Sequence, residues 1–159
     1  MLVRVRAASL NPHDEYVGSG AARAYLEYVF PVTIGTDFAD EVVAVGRSVA
    51  RFAPGQRVFG VQPGTFAELV VVPEGAGIAP APAGLDDASV AGLGLAGVTA
   101  LACLVATDVH AGDRVLVNGA TGGVGSYLAQ LARADGWRMI ATARSPEKGE
   151  YSARLAPST

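Results

Sequence analysis

The chain has 159 residues, of which 50% are hydrophobic and 17% are charged, and its formal net charge is −3. This composition excludes intrinsic disorder, which requires few apolar residues and a high net charge. The basic residues are scattered, so we expect no nucleic-acid partner. The single cysteine, Cys103, excludes an internal disulfide framework and favours a reducing, cytoplasmic setting. No apolar run approaches the ~18 residues of a membrane span, so we expect no membrane partner.

The first half of the chain has the pattern of a small β unit, with short apolar runs punctuated by Gly and Pro. The predicted strands are residues 2–8, 41–46, 57–60 and 66–73. Asn11-Pro12-His13-Asp14 has loop chemistry and precedes a possible short helical turn at 14–20. The stretch 74–84 is rich in Pro, Gly and Ala and is predicted to be a connection.

The second half has the pattern of an α/β unit. Helical segments are predicted from Asp86 and over 98–107, separated by Gly92 and Gly94. A buried strand, an amphipathic helix and a second strand then follow, which form one β-α-β unit with parallel strands. These three elements are 114–118, 124–135 and 137–143. The predicted domains are 1–95 and 96–159.

A glycine-rich turn between the first of these strands and its helix carries the clearest functional signal. Gly119, Gly122 and Gly125 are three residues apart. Such glycines permit a tight turn and a close approach of the backbone to a pyrophosphate. Gly123 and Val124 lie where the unpaired N–H groups of the following helix emerge, which favours binding of an anion there.

The end of the second strand indicates which dinucleotide is bound. An acidic residue at this point accepts hydrogen bonds from a free ribose 2′-hydroxyl and repels a 2′-phosphate. The chain has Arg144 and Ser145 there instead, with Lys148 one helical turn later. The sequence therefore favours NADP(H) over NAD(H), with a solvated surface charge as the alternative interpretation of Arg144.

Three phrases together resemble the zinc-independent medium-chain dehydrogenases/reductases of the quinone oxidoreductase type. They are 7–16 (AASLNPHDEY), 35–46 (GTDFADEVVAVG) and the loop 119–125 (GATGGVG) with Gln130-Leu131-Ala132. The resemblance implies a GroES-like β domain followed by the first β-α-β part of a Rossmann α/β domain, both partial, as in a relative truncated at both ends. The loop residues that it assigns to the cofactor are Gly119, Thr121, Gly122, Gly123, Val124 and Gly125.

The resemblance also implies that no metal is bound. The positions similar to the zinc ligands of the related branch hold Asn11 and Thr36, and the third falls near Gly92. Thr99 resembles a residue near the nicotinamide. One departure from the family pattern is Asp40, which stands where a glycine is usual.

These features predict an NADPH-dependent oxidoreductase that transfers hydride to a quinone, an enone or a similar electrophilic small molecule. Without a metal to polarise a carbonyl, such a substrate must already be activated. Asn11 and Tyr16 are the candidate donors to its oxygen, although each could instead have a structural role. The alternatives are an enoyl-thioester reductase piece of a polyketide or fatty-acid pathway, or a non-catalytic remnant that binds a dinucleotide or a partner. Because the domains are partial, we expect self-association or a complementing chain.

Overall fold

The structure, a computed structural model, describes residues 1–155. It divides into two compact units, Met1–Leu95 and a second that begins at Ala96. No helix among the described residues combines the length and apolar character that spanning a bilayer requires.

The first unit is a five-stranded antiparallel sheet with two helices. Its elements are β1 (Leu2–Arg4), α1 (Pro12–Ser19), β2 (Asp37–Ala44), β3 (Arg57–Val61), β4 (Leu69–Val71), β5 (Gly77–Pro80) and α2 (Asp87–Ala91), with a 3-10 turn at Ala21–Ala24. The strand order is β4-β1-β2-β3-β5. The predicted β unit is confirmed, and its longest strand, β2, lies at its centre.

The core of this unit lies against one face of β2. Phe38 and Val42 lie on the same face of that strand and pack with Val3 and Val58. All four side chains are fully buried. Burying each such side chain stabilises the fold by roughly 1.5–3 kcal/mol. These contacts hold the start of β2 in a fixed position, which matters because the polar residues described below lie there.

Two predicted element boundaries in this unit are wrong. The stretch 74–84, predicted to be a connection, contains β5, which pairs with β3 and buries Ile78 in the core. Its Pro80 is tolerated because β5 is an edge strand that ends at this residue. The first strand ends at Arg4, and beyond it Ala7 forms an isolated bridge with Ala39.

The second unit has two parallel strands flanked by helices. Its elements are α3 (Leu95–Thr107), β6 (Arg114–Val117), α4 (Gly123–Asp135), β7 (Arg138–Ala141) and α5 (Pro146–Leu155). Helix α3 begins at Leu95, the last residue of the first unit. The parallel β-α-β arrangement is confirmed, with Val115 opposite Met139 and Leu116 opposite Ile140. Gly136 ends α4 with a left-handed φ of 76°, and Trp137, 1% exposed, anchors the core behind it.

Most of α3 is exposed. Cys103 lies on its exposed side, although its neighbours in the sequence are apolar. Ala100 is the fully buried residue of α3, while Leu101 and Val105 are 53% and 82% exposed. The helix is apolar around its whole circumference, so its sequence does not reveal which side is buried.

Candidate cofactor and substrate sites

The glycine turn between β6 and α4 has the geometry of a phosphate cradle. Gly119 adopts a positive φ of 75°, a conformation that glycine adopts without strain. A Cβ on Gly125 would lie 2.5 Å from both Ala120 Cα and Gly119 O, so only glycine fits there. The turn is therefore tight and presents backbone rather than side chains.

The first turn of α4 supplies hydrogen-bond donors to this cradle. The N-cap residue is Gly122, which has no side chain to cap the helix. Ser126 N donates to Gly122 O at 2.9 Å, so the helical ladder begins only there. The N–H groups of Gly123, Val124 and Gly125 precede it and have no acceptor within the helix. At the positive end of a helix dipole, these groups favour an anion.

A cavity of about 380 Å³ opens beside the turn. It is lined by Asn118, Gly119, Thr121, Gly122, Thr142, Ala143, Arg144 and Lys148. Thr142 Oγ1 donates to Asn118 Oδ1 at 2.6 Å, which ties the carboxyl ends of β6 and β7 together. Among the described residues, the lining contains two cationic side chains and no acidic one, so the cavity suits an anionic ligand.

The remaining predicted cofactor residues lie near this cavity or on neighbouring helices. Ser145 immediately precedes α5, and its Oγ accepts from Lys148 N at 3.4 Å and its carbonyl accepts from Gly149 N at 3.0 Å. Thr99 is half-buried on α3. The roles of these residues in binding a cofactor stay predictions.

A second polar cluster lies in the first unit around Asn11. This residue is the N-cap of α1, with an extended backbone, and its side-chain Nδ2 donates to Asp37 Oδ2 at 2.8 Å. Ser9 Oγ also donates to Asp37 Oδ2 and is 3.3 Å from Asn11 Nδ2. On the other side of the carboxylate, Leu95 N donates to Asp37 Oδ1 at 2.6 Å.

Asp14 holds the backbone of the same segment. Its Oδ2 accepts from Asn11 N at 2.8 Å, and its Oδ1 accepts from Thr36 Oγ1 at 2.7 Å. Asp14 and Asp37 are 2% and 0% exposed, so both carboxyl groups are satisfied by hydrogen bonds inside the protein. The cluster thus fixes Asn11 through both its backbone and its side chain.

Tyr16 does not join this cluster. It lies on α1, is 52% exposed, and its hydroxyl makes no hydrogen bond to another described residue. Its phenol is therefore available to a ligand, whereas Asn11 is already held by its neighbours.

A metal site is not evident in this part of the chain. Within residues 1–155, no three His, Cys, Asp or Glu side chains are grouped so as to hold a metal ion. Absence of zinc stays a prediction, which elemental analysis of the purified protein tests: one zinc per chain would overturn it.

Sequence reasoning missed several polar residues of these sites, among them Ser9, Asp37, Asn118 and Thr142. Asn118 and Thr142 follow the two parallel strands, and side chains at the carboxyl ends of such strands usually line the ligand crevice. That rule would have found them. Ser9 and Asp37 stand in the phrases that carry the family resemblance, but only the fold shows that they contact Asn11.

Comparisons with known proteins agree with this geometry. The profile of the "Alcohol dehydrogenase GroES-like domain" family matches residues 1–83. Quinone oxidoreductase of Sus scrofa is 38% identical over 150 residues, which cover 92% of this chain and 45% of that protein.

Two solved structures extend the likeness over both units. One is quinone oxidoreductase from Pseudomonas syringae pv. Tomato DC3000, with 35% identity, a TM-score of 0.88, and coverage of 98% of this chain and 47% of that one. The other is Escherichia coli quinone oxidoreductase complexed with NADPH, with 27% identity, a TM-score of 0.87, and coverage of 98% and 47%. The chain spans about half the length of these relatives. It is similar to quinone oxidoreductases over both units, and it belongs to the alcohol dehydrogenase GroES-like domain family.

Proposed function

We propose that this chain binds NADP(H) at the glycine turn and belongs to an oxidoreductase that reduces quinones, enones or similarly activated double bonds. The observation that carries the proposal is the cavity beside the turn, where backbone donors and two cations meet. The relatives named above are quinone oxidoreductases, and one of them was crystallised with NADPH.

The residues present fit a dinucleotide phosphate. Gly125 lets α4 pack closely against the backbone of the turn, and the N-terminus of α4 provides N–H donors. Arg144 follows β7 and Lys148 lies on α5, and both line the cavity at the end of this strand, where the adenosine ribose is held in folds of this type. Because no acid lines the cavity, a 2′-phosphate would be attracted there.

The cofactor supplies a hydride, and the protein orients the reactants and stabilises the developing charge. In our proposal Asn11 and Tyr16 donate hydrogen bonds to the substrate oxygen that becomes negative, and Thr99 lies near the nicotinamide. A conjugated substrate spreads its charge onto that oxygen, so neutral donors suffice. The proposed substrate is therefore electron-poor, and no metal takes part.

We also propose that the chain acts in the cytoplasm and either self-associates or binds a complementing chain. The support for association is the uncovered face of the second unit, where Leu116 and Ile140 are 67% and 52% exposed on adjacent parallel strands. Parallel sheets are normally covered on both faces.

The test is a fluorescence titration of the purified chain with NADPH and, as the matched control, NADH. Saturable binding with a clear preference for NADPH is expected. Turnover is then measured with a quinone, an enone and an enoyl thioester in parallel, and the substrate reduced with the highest kcat/KM assigns the class. Absence of saturable NADPH binding would refute the cofactor proposal, and NADPH binding without turnover of any substrate would indicate a non-catalytic dinucleotide-binding chain.

A further inference from the structure

We propose that Asp37 is a positioning residue, which anchors one amide hydrogen of Asn11 and so directs the other toward the substrate oxygen. This inference rests on the proposed function for its catalytic part. Its structural part, that Asp37 orients the Asn11 side chain, can be tested without any turnover.

The Asp37 carboxylate is itself held firmly. It is fully buried at the start of β2, where Leu95 N donates to its Oδ1 at 2.6 Å. A Cβ on Gly94 would overlap this carboxylate, so the close approach of the chain there depends on glycine. The position of Asp37 is thus set by the sheet and the backbone, and Asn11 adapts to it.

The contacts of Asn11 leave one of its amide hydrogens available. Asp37 Oδ2 and Ser9 Oγ are hydrogen-bonded to each other, so they lie on the same side of Asn11 Nδ2. One N–H therefore serves both. The second N–H of a planar amide diverges widely from the first, and no other acceptor for Nδ2 is present among residues 1–155.

The charge of Asp37 also strengthens the arrangement. A carboxylate accepts hydrogen bonds but donates none, so it decides which end of the Asn11 amide faces it. Hydrogen bonds to an ionised acceptor are shorter and stronger than neutral ones. The amide is therefore fixed with its nitrogen, rather than its oxygen, at the site, which suits a substrate atom that accumulates negative charge.

The structural part is tested by NMR of the ¹⁵N-labelled chain, which has two asparagines, Asn11 and Asn118. The Asn11 side-chain signals are identified by their loss in Asn11→Asp. One of the two Asn11 amide protons should exchange with solvent about tenfold more slowly than the other and than both protons of Asn118. Equal and rapid exchange of both Asn11 protons would overturn the proposal, and this measurement needs no further variant.

Asp37→Asn should abolish that difference in exchange within the Asn11 amide. The matched control is Asp40→Asn, which makes the same chemical change at another buried position of the same strand. It should leave the Asn11 signals unchanged. If Asp37→Asn leaves them unchanged, or if Asp40→Asn alters them equally, Asp37 does not position Asn11.

The catalytic part is tested by quinone turnover. Asp37→Asn should lower kcat about tenfold with little change in the KM for NADPH, because misplacing one donor weakens only the transition state. In an Asn11→Ala background, the same substitution should have no further effect on kcat. If the two substitutions instead lower kcat by factors that multiply in the double variant, Asp37 does not act through Asn11. If the unaltered chain reduces no substrate, the proposed function fails, whereas the exchange measurement still decides the orientation of Asn11.

Discussion

Arg144 is the residue on which the proposed choice of dinucleotide depends. It lines the cavity beside the glycine turn, and among residues 1–155 it forms no salt bridge that would compete with a ligand. A charge-assisted hydrogen bond to a 2′-phosphate contributes ~1.5–3 kcal/mol. Arg144→Ala should therefore weaken NADPH binding roughly tenfold or more and leave NADH binding nearly unchanged, as measured by fluorescence titration. Equal losses for both cofactors would refute the assignment.

Asp40 is a residue whose backbone and side chain are both in unfavourable states. Its φ is 152°, in a region that only glycine enters freely, and its carboxyl group is buried. Burial raises the pKa of Asp40, and Arg6, whose Nε is 3.1 Å from Oδ2, opposes that rise. The pKa of Asp40 stays raised because burial is the larger effect and the neighbouring carboxylates of Asp87 and Glu41 add to it.

Replacing Asp40 with the glycine that is usual in the family should stabilise the fold. Asp40→Gly should raise the free energy of unfolding by about 1 kcal/mol or more, since relief of a strained φ is worth ~1–3 kcal/mol and the greater freedom of unfolded glycine offsets part of it. Asp40→Ala is the matched control, because it removes the carboxyl group and keeps the strained backbone. Urea unfolding measures both, and a glycine variant no more stable than the alanine variant would show that strain is absent.

The effect of these substitutions on the free energy of unfolding should depend on pH. When folding raises the pKa of a carboxyl group, the free energy of unfolding is highest below the unfolded pKa. It falls as pH rises through the folded pKa. The gain from Asp40→Ala should therefore be larger at pH 7 than at pH 3, where Asp40 is protonated in both states. A gain that is larger at pH 3 would contradict the raised pKa.

The glycine turn and α4 act together as one element, and their backbones are in close contact at Gly125. A Cβ there would lie 2.5 Å from backbone atoms, which cannot move as a flexible side chain could. Gly125→Ala should therefore lower both the stability of the chain and its affinity for NADPH. Gly97→Ala is the matched control, since its Cβ would meet only the Tyr127 ring at an ordinary 3.8 Å. Thermal unfolding and NADPH titration compare the two variants, and equal effects would show that the close approach is unimportant.

The elements that sequence predicts well are those whose signal is local. The β6–turn–α4 unit is predictable because its apolar strand, its glycine spacing and its amphipathic helix lie within 22 consecutive residues, 114–135. Strand β5 was missed because its Gly and Pro disfavour a strand, and only pairing with β3 forms it. The contacts of Asp37 with Asn11 and Leu95 join residues 26 and 58 positions apart, which no local pattern shows.

At the scale of the whole molecule, the main feature is an exposed apolar face on the two-stranded sheet of the second unit. Parallel sheets are normally covered on both faces. In the second unit, Val115 and Met139 pack on the core from one side of the sheet, while Leu116 and Ile140 face the other side and are exposed. Side chains alternate between faces along a strand, so these two pairs necessarily point in opposite directions. Exposed apolar patches of this kind are typical of surfaces that bind another chain.

We therefore expect the isolated chain to self-associate through this face. Multi-angle light scattering should show a mass above that of the monomer, rising with concentration. The double variant Leu116→Gln with Ile140→Gln should shift the population toward the monomer, because it removes most of the apolar surface that association would bury. Val29→Gln is the matched control: Val29 is 81% exposed but lies in the first unit, so this change should leave the mass unaltered. A chain that stays monomeric at all concentrations, or a control that dissociates the assembly as strongly as the double variant, would show that the sheet face is not the contact.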